Sequence, residues 1–384
     1  MGLVFVHGIG NRSTKAAYAE TVALRDALFH RFLISRALPE LSGTEIHNPM
    51  WGDLAARLRW GHASLPRSRR EKLGAEDEEL ADLYQAAGGV PGRSLAGRTL
   101  ADAVDFLFTI ADLRGRSAAE IEDLADYAVA LADQCDSAPP VPGADPASRD
   151  DAQVLDDLDR LAAHVANGTG DRQRLGGNRP WSGLGRRVLA SGLRRFRQQE
   201  LGLPTALAAA AMRRLASENV SLLIGDVFEY LTTRGTRAKP GEIVRLVCAS
   251  LDRASQDGPL VIVAHSMGGN IVYDILSHFR PDLEVAVLVT VGSQVGLFEE
   301  LSLFRASDRS LPTEQSPRVI APEKVRQWIN IVDPADILAY RADPIFAGPV
   351  DYDYPSAEPW AHTAYFRQPM FHRRLAVRVG EALG

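Results

Sequence analysis

The chain opens on a short apolar run, Leu3 to Val6, that ends at "HGIGN". This is the pattern of a buried strand delivering a Gly-rich turn. From Thr14 to about Ala37 the period changes. Ala17, Val22, Leu24, Leu28, Phe32 and Leu33 supply an apolar stripe at helical spacing. "TEIHNPMWGD", from Thr44, reads as a second strand. From Asn219 the strand–helix alternation resumes, beginning with "VSLLIGDVFEYL" as a strand running into Asp226. A helix over about 241–255 follows, then the strand and turn "PLVIVAHSMGGN" and a helix over 270–279. "EVAVLVTVGS" is a strand, "VRQWINIVDPADILAY" a strand with its loop, and "HTAYFRQPMFHRRLAVRVGEAL" a terminal helix. Unbroken Val/Ile/Leu strands alternating with helices predict an α/β fold. Its sheet is mostly parallel, doubly wound and buried on both faces.

Between these two blocks the pattern is helical, over residues 54–218. "SLAGRTLADAVDFLFTIADL" and "AAEIEDLADYAVALAD" repeat apolar residues at helical spacing. "SAPPVPGADPASRD" and "NGTGDRQRLGGNRP" are breaks, and "TALAAAAMRRLASE" is helical again. A structureless loop of that length is implausible in a compact domain. The expected organisation is a core of residues 1–53 and 219–384 carrying a cap-like helical insertion over 54–218.

At 384 residues the chain suits one large domain with an insertion. Hydrophobic residues at 46% and charged residues at 24% are ordinary for a globular protein. A net charge of -6 argues against a general nucleic-acid binder. Cys135 and Cys248 lie far apart in no ligand cluster, so neither a disulfide framework nor a Cys-based metal site is expected. The opening has no basic and apolar leader, and no segment has the length of a membrane span, which predicts a cytoplasmic protein.

The chemistry concentrates where "VIVAHS" leaves its strand. Ligands of such sheets sit outside the carboxyl ends of the strands, where Ser266 falls. Ala264-His265-Ser266-Met267-Gly268 matches the G-x-S-x-G nucleophile elbow with Ala in the first position. The competing reading is a serine that caps the next helix, with glycines for tight packing. A serine nucleophile needs a base and an acid to orient it, in the chain order Ser, Asp/Glu, His. "INIVDPADILAY" offers Asp333 and Asp336 just past a strand, and "PWAHTAYF" offers His362 just before the last helix. His7, His265 and His372 are expected to be structural, with His265 facing the far side of the elbow. His372 is expected deep in the final helix, pointing away. One oxyanion donor is the N–H of Met267, the residue after the nucleophile. "GIGN" is too short for a phosphate-binding fingerprint. Asp226, after a strand, reads as a helix cap, with an approach to the site as the alternative.

The opening "VHGIG" and the elbow "AHSMGG" resemble the α/β-hydrolase superfamily of lipase and serine-esterase type, in particular the small Bacillus lipase A group. The resemblance covers about Gly2–Asp53 and 219–384 and leaves the insertion out. It implies an α/β-hydrolase fold with a minimal N-terminus and no cofactor. The second oxyanion donor would be the N–H of Ile9. The "ADI" of "ADILAY" resembles the Asp-x-(Val/Ile) pattern of the acid, which favours Asp336, with Asp333 the alternative. The implied activity is cleavage of a small-molecule or lipid carboxylic ester through an acyl-enzyme. The same triad equally serves acyl transfer or thioester and amide cleavage, and a hydrolase scaffold also serves as a non-catalytic interaction module. Insertions in this fold commonly act as lids. The basic stretches "RLRWGHASLPRSRREK" and "RRVLASGLRRFRQQ" suit either a peripheral membrane surface or a solvated face. "GLFEELSLF" reads as an acyl-pocket lining or as core.

Overall fold

The structure is a computed structural model. It describes residues 1–60 except 16–17 and 42–44, residue 63, and residues 99–137 except 111–112 and 114–115. It also describes scattered positions between 153 and 160, and residues 221–384 except 257 and 357–360. The basic stretches, the two Gly/Pro-rich breaks and "TALAAAAMRRLASE" lie wholly or mostly outside the described residues.

Seven strands are described, β1 (Gly2–Val6), β2 (Leu260–His265), β3 (Val285–Val291), β4 (Val319–Ile320), β5 (Val325–Val332), β6 (Phe346–Ala347) and β7 (Pro349–Asp353). Five form one sheet in the order β1-β2-β3-β5-β7, with every pair parallel. The other two, β4 and β6, pair separately. The segment expected as a second strand supplies a single parallel bridge, His47 to Val4, outside β1. Phe5 N–H donates to His47 O at 2.8 Å and His47 N–H to Leu3 O at 3.1 Å. Pro49 lacks a donor two residues later, and the chain turns into the 3-10 segment Trp51–Leu54 instead of continuing the ladder. Residue 47 thus lies on one side of β1 and β2 on the other. The strand order reverses there, which puts the switch point of the sheet at the carboxyl ends of β1 and β2.

The helices in chain order begin with α1 (Tyr18–Leu28), prolonged by a π-helical turn over Phe29–Ile34. Then come α2 (Leu100–Ile110), α3 (Ala118–Ser137), α4 (221–233), α5 (Glu242–Ser255) and α6 (Met267–Asp274). A π turn over Ile275–Phe279 extends α6, and α7 (Val295–Glu300), α8 (Ala361–Ala364) and α9 (Pro369–Leu383) follow. Alternate strand residues face opposite layers. Leu3, Phe5, Val261 and Val263 join one apolar cluster with α1, α2, α3 and α9. Val4, Val6, Ile262 and Ala264 join another with α5 and α6. Fully buried side chains such as Phe29 and Phe371 contribute ~1.5–3 kcal/mol each by transfer from water. Helices on both faces explain strands that read as unbroken apolar runs.

One expectation changes. Residues 221–225 are not a strand, because 221–233 is a helix. A short apolar run fits either element. Here the helical spacing of Val227, Tyr230 and Leu231 puts them on the α5–α6 cluster and leaves Ile224 and Phe228 outside. Of "GLFEELSLF", Phe298 and Phe304 are buried in that cluster, while Leu301 is exposed.

From the 54–218 stretch, α2 and α3 are layered beside α1 and α9, with Val104, Leu107, Leu124 and Leu131 in the cluster of Phe5 and Phe29. Ser117 and Glu120 close a capping box at the start of α3. Ser117 N–H donates to Glu120 Oε2 at 2.9 Å and Glu120 N–H to Ser117 Oγ at 3.3 Å.

The α2 seat on α9 is polar at one point. Asp105 Oδ1 accepts from Met370 N–H at 3.4 Å, and its Oδ2 lies 3.2 Å from the Tyr354 hydroxyl, which is 2.8 Å from Gln368 Oε1. Burial pushes the Asp105 carboxyl up to about 7, against hydrogen bonds from Met370 and Tyr354 that pull it down. A folded pKa above the unfolded one means stability that is full below about pH 4 and lost as pH rises through about 7. Asp105→Asn, which cannot ionise, is therefore expected to gain melting temperature relative to the parent between pH 4 and 7. A difference independent of pH over that window would contradict the buried carboxyl.

Candidate active site

Ser266 follows β2 directly and precedes α6, with φ 53° and ψ -127°. For a non-glycine residue this conformation costs on the order of 1–3 kcal/mol and persists only when the surroundings impose it. Its N–H donates to Val291 O at 2.9 Å, and its carbonyl accepts from Gly269 N–H at 2.9 Å and from Ser293 Oγ at 3.1 Å. Ser266 makes no side-chain cap bond to α6, so the capping alternative does not describe it.

The two glycines after the bend are fixed by contact. A Cβ on Gly268 would stand 2.3 Å from Val6 O, and one on Gly269 would stand 2.2 Å from Ser293 Oγ. Helix α6 therefore lies against the end of β1 on one side and the end of β3 on the other.

Ser266 Oγ lies 2.8 Å from His362 Nε2, and His362 Nδ1 lies 2.9 Å and 3.1 Å from the two carboxylate oxygens of Asp336. A carboxylate only accepts, so Nδ1 carries the proton and Nε2 is left as the acceptor for the serine hydroxyl. Asp336 feels burial, which raises its pKa, but bonds from His362, the Leu338 N–H and the Tyr365 hydroxyl outweigh it and hold the group below its usual range. It is therefore ionised at neutral pH.

Asp333 takes no part in this pairing. Its Oδ1 accepts from Ala335 N–H at 2.8 Å and its Oδ2 from Ser356 N–H at 2.7 Å, so it braces the turn that presents Asp336. The structure thus brings Ser266, His362 and Asp336 together and leaves Asp333 outside.

Several neighbours carry no motif. Tyr365 donates to Asp336 Oδ2 at 3.0 Å and accepts from Asp333 N–H at 2.9 Å, linking both aspartates. Gly292, φ 55°, allows the end of β3 to pass beside Asp336, whose Oδ2 would meet a Cβ there at 2.9 Å. The sequence signal was only a glycine closing the strand of "VTVGS".

The other histidines differ from expectation in part. His265 does not face away from the site. Its ring lies 4.9 Å from that of His362, and its Nε2–H donates to the His362 carbonyl at 2.8 Å. Burial, and next the adjacent His362, push it down to about 3, so it supports His362 as a neutral ring. His372 stands near the start of α9 rather than deep in it. It is buried, has Nε2 at 3.1 Å from Phe366 O and packs on Phe29, away from Ser266. His7 stacks on Trp51, and burial holds it down at about 4.

The "HGIG" turn lies against the serine, since a Cβ on Gly8 would be 2.7 Å from Ser266 Cβ. Met267 opens α6, so its N–H has no intrahelical acceptor. Asp226 is not a cap. It sits inside α4, fully buried, and accepts from Gly10 N–H at 3.0 Å, Ala56 N–H at 3.1 Å and the Arg12 guanidinium at 2.7 and 3.2 Å.

Among the described residues, no group of three or more His, Cys, Asp or Glu side chains is placed to hold a metal ion, and no helix is long and apolar enough to cross a membrane.

Gly268→Ala is expected to force α6 off β1, at about 1–3 kcal/mol of overpacking. Urea denaturation measures this, and an unchanged midpoint would contradict the close approach. Compared with known proteins, the chain matches no family model, no curated protein and no solved structure.

Proposed function

We propose that the protein is a serine hydrolase of the α/β-hydrolase fold that cleaves carboxylic esters through an acyl-enzyme. The observation that carries this reading is the strained Ser266 with its Oγ 2.8 Å from His362 Nε2, a ring held from behind by ionised Asp336. A helix cap or a packing serine requires neither the strain nor the aligned base and acid.

In this reading Ser266 Oγ attacks the ester carbonyl while His362 Nε2 takes its proton. Asp336 keeps Nδ1 protonated and stabilises the imidazolium that forms. The carbonyl oxygen, now negative, accepts from the N–H groups of Met267 and Ile9. Collapse expels the alcohol, which receives the proton from His362, and leaves Ser266 acylated. Water, deprotonated by His362, attacks the acyl carbon, and the second collapse returns Ser266 with its proton and releases the acid. The substrate is a small-molecule or lipid ester, and the chemistry uses no cofactor.

Ser266→Ala is expected to abolish hydrolysis of p-nitrophenyl butyrate while retaining the fold. Turnover at the parent rate would sink the assignment. The two aspartates separate the acid from its brace. Asp336→Asn, which favours the wrong His362 tautomer, is expected to lower kcat by about 10⁴-fold. Asp333→Asn is expected to lower melting temperature with a much smaller effect on kcat. The reverse ranking would move the acid to Asp333.

A further inference from the structure

In the hydrolase reading, the turn between Gly8 and Arg12 has to keep one backbone N–H aimed at a reacting oxygen, yet it has little regular structure of its own. Its internal bonds are the Asn11 amide donating to Gly8 O at 3.0 Å and to Ile9 O at 3.3 Å, and the Arg12 guanidinium donating to Asn11 O at 2.8 Å. Beside the bonds to His7 and Ala56, one anchor is a carboxylate more than two hundred residues away in sequence.

We infer that Asp226 is a positioning residue for the reaction: its carboxylate holds the Gly8–Arg12 turn in the shape that presents the Ile9 N–H to the developing oxyanion. The inference rests on the hydrolase reading above and goes beyond it, since Asp226 touches neither Ser266 nor His362 among its hydrogen bonds.

The geometry is specific. Gly10 N–H, one residue after the oxyanion donor, points at Asp226 Oδ2 at 3.0 Å. Arg12, two residues further, grips the same carboxylate with both terminal nitrogens, at 2.7 Å to Oδ1 and 3.2 Å to Oδ2. A forked guanidinium on a carboxylate fixes orientation as well as distance. Arg12 also donates to Asn11 O at 2.8 Å and to Ala56 O at 3.1 Å. Gly10 has φ 70°, so the turn is bent at the very residue whose N–H is captured.

The other partner of Asp226 widens the consequence. Ala56 N–H donates to Oδ1 at 3.1 Å, and a Cβ on Gly225 would sit 2.9 Å from Ala56 Cβ. Residue 56 lies at the start of the long stretch expected as an insertion, and residue 226 follows its end. One carboxylate therefore fastens the two ends of that stretch to each other and to the oxyanion turn. A displacement of about 1 Å at such a turn is enough to cost on the order of 100-fold in rate.

The test uses the full-length protein and two readouts. The first is kcat and KM for p-nitrophenyl butyrate. The second is inhibition by butylboronic acid, whose boron bonds to Ser266 Oγ as the hydroxyl proton passes to His362. The resulting tetrahedral adduct sets an oxygen where the oxyanion forms. Asp226→Asn, which keeps size but loses charge and one acceptor, is expected to lower kcat by about 10- to 100-fold with KM little changed. Boronate inhibition is expected to weaken by a similar factor, and the circular dichroism spectrum to stay native. A native-like variant with kcat, KM and boronate inhibition all at parent values would overturn the inference. So would a kcat loss accounted for by a smaller fraction of folded protein, measured by active-site titration. If Asp226→Asn does not fold, Arg12→Lys replaces the fork by a single point charge and is judged by the same criteria. Absence of any Ser266-dependent turnover in the parent protein sinks the hydrolase reading itself, a result distinct from a parent that works and an Asp226 variant that matches it.

Discussion

The bend at Ser266 is the constraint around which the rest of the site is arranged. A non-glycine residue at φ 53° is retained only if the chain on both sides cannot relax. Strand β2 is locked between β1 and β3 by parallel ladders on each side. Helix α6 is seated against the carbonyl of Val6 and the side chain of Ser293, with no room for a Cβ at either glycine. The strain therefore has nowhere to go, and the hydroxyl is left at the carboxyl end of the sheet, where the strand order reverses.

The partners of Ser266 are set by the same sheet. β5 ends in the turn braced by Asp333, and that turn delivers Asp336. Gln294, after β3, ties the Asp336 loop down by donating to Leu338 O at 2.6 Å and to Gly292 O at 3.1 Å. His362 comes from short helix α8 and is held from two sides, by Asp336 through its ring and by His265 through its carbonyl. Each of the three side chains thus depends on a neighbour with no reactive role, and each neighbour is buried or nearly so. Burial keeps His265 neutral, which removes a competing positive charge from beside His362.

The parts of this arrangement that sequence patterns expose are those encoded locally. The fully buried strands, the serine between a strand and a helix, and the order Ser266, Asp336, His362 are all visible as short runs. The edge segment around His47 is shorter than a strand for a reason already in the sequence, since Pro49 two residues later has no N–H to donate to the ladder. Residues 221–225 form a helix rather than a strand: a few apolar residues suit either period, and only packing on the α5–α6 cluster decides for the helix. Asp226, Tyr365 and His265 matter through partners tens to hundreds of residues away. Their identities hint at polarity and nothing more. An aspartate followed by Val-Phe-Glu looks like a cap, and only the fold turns it toward Gly10 and Arg12.

The most direct measurement of the central claim is covalent labelling by a fluorophosphonate, followed by mass-spectrometric mapping of the modified peptide. Attack by an activated serine displaces fluoride from phosphorus and leaves a stable adduct. The account predicts one modified residue, Ser266, and loss of labelling when His362 is replaced by alanine. A protein that stays unlabelled at Ser266, or that labels equally well without His362, would contradict it.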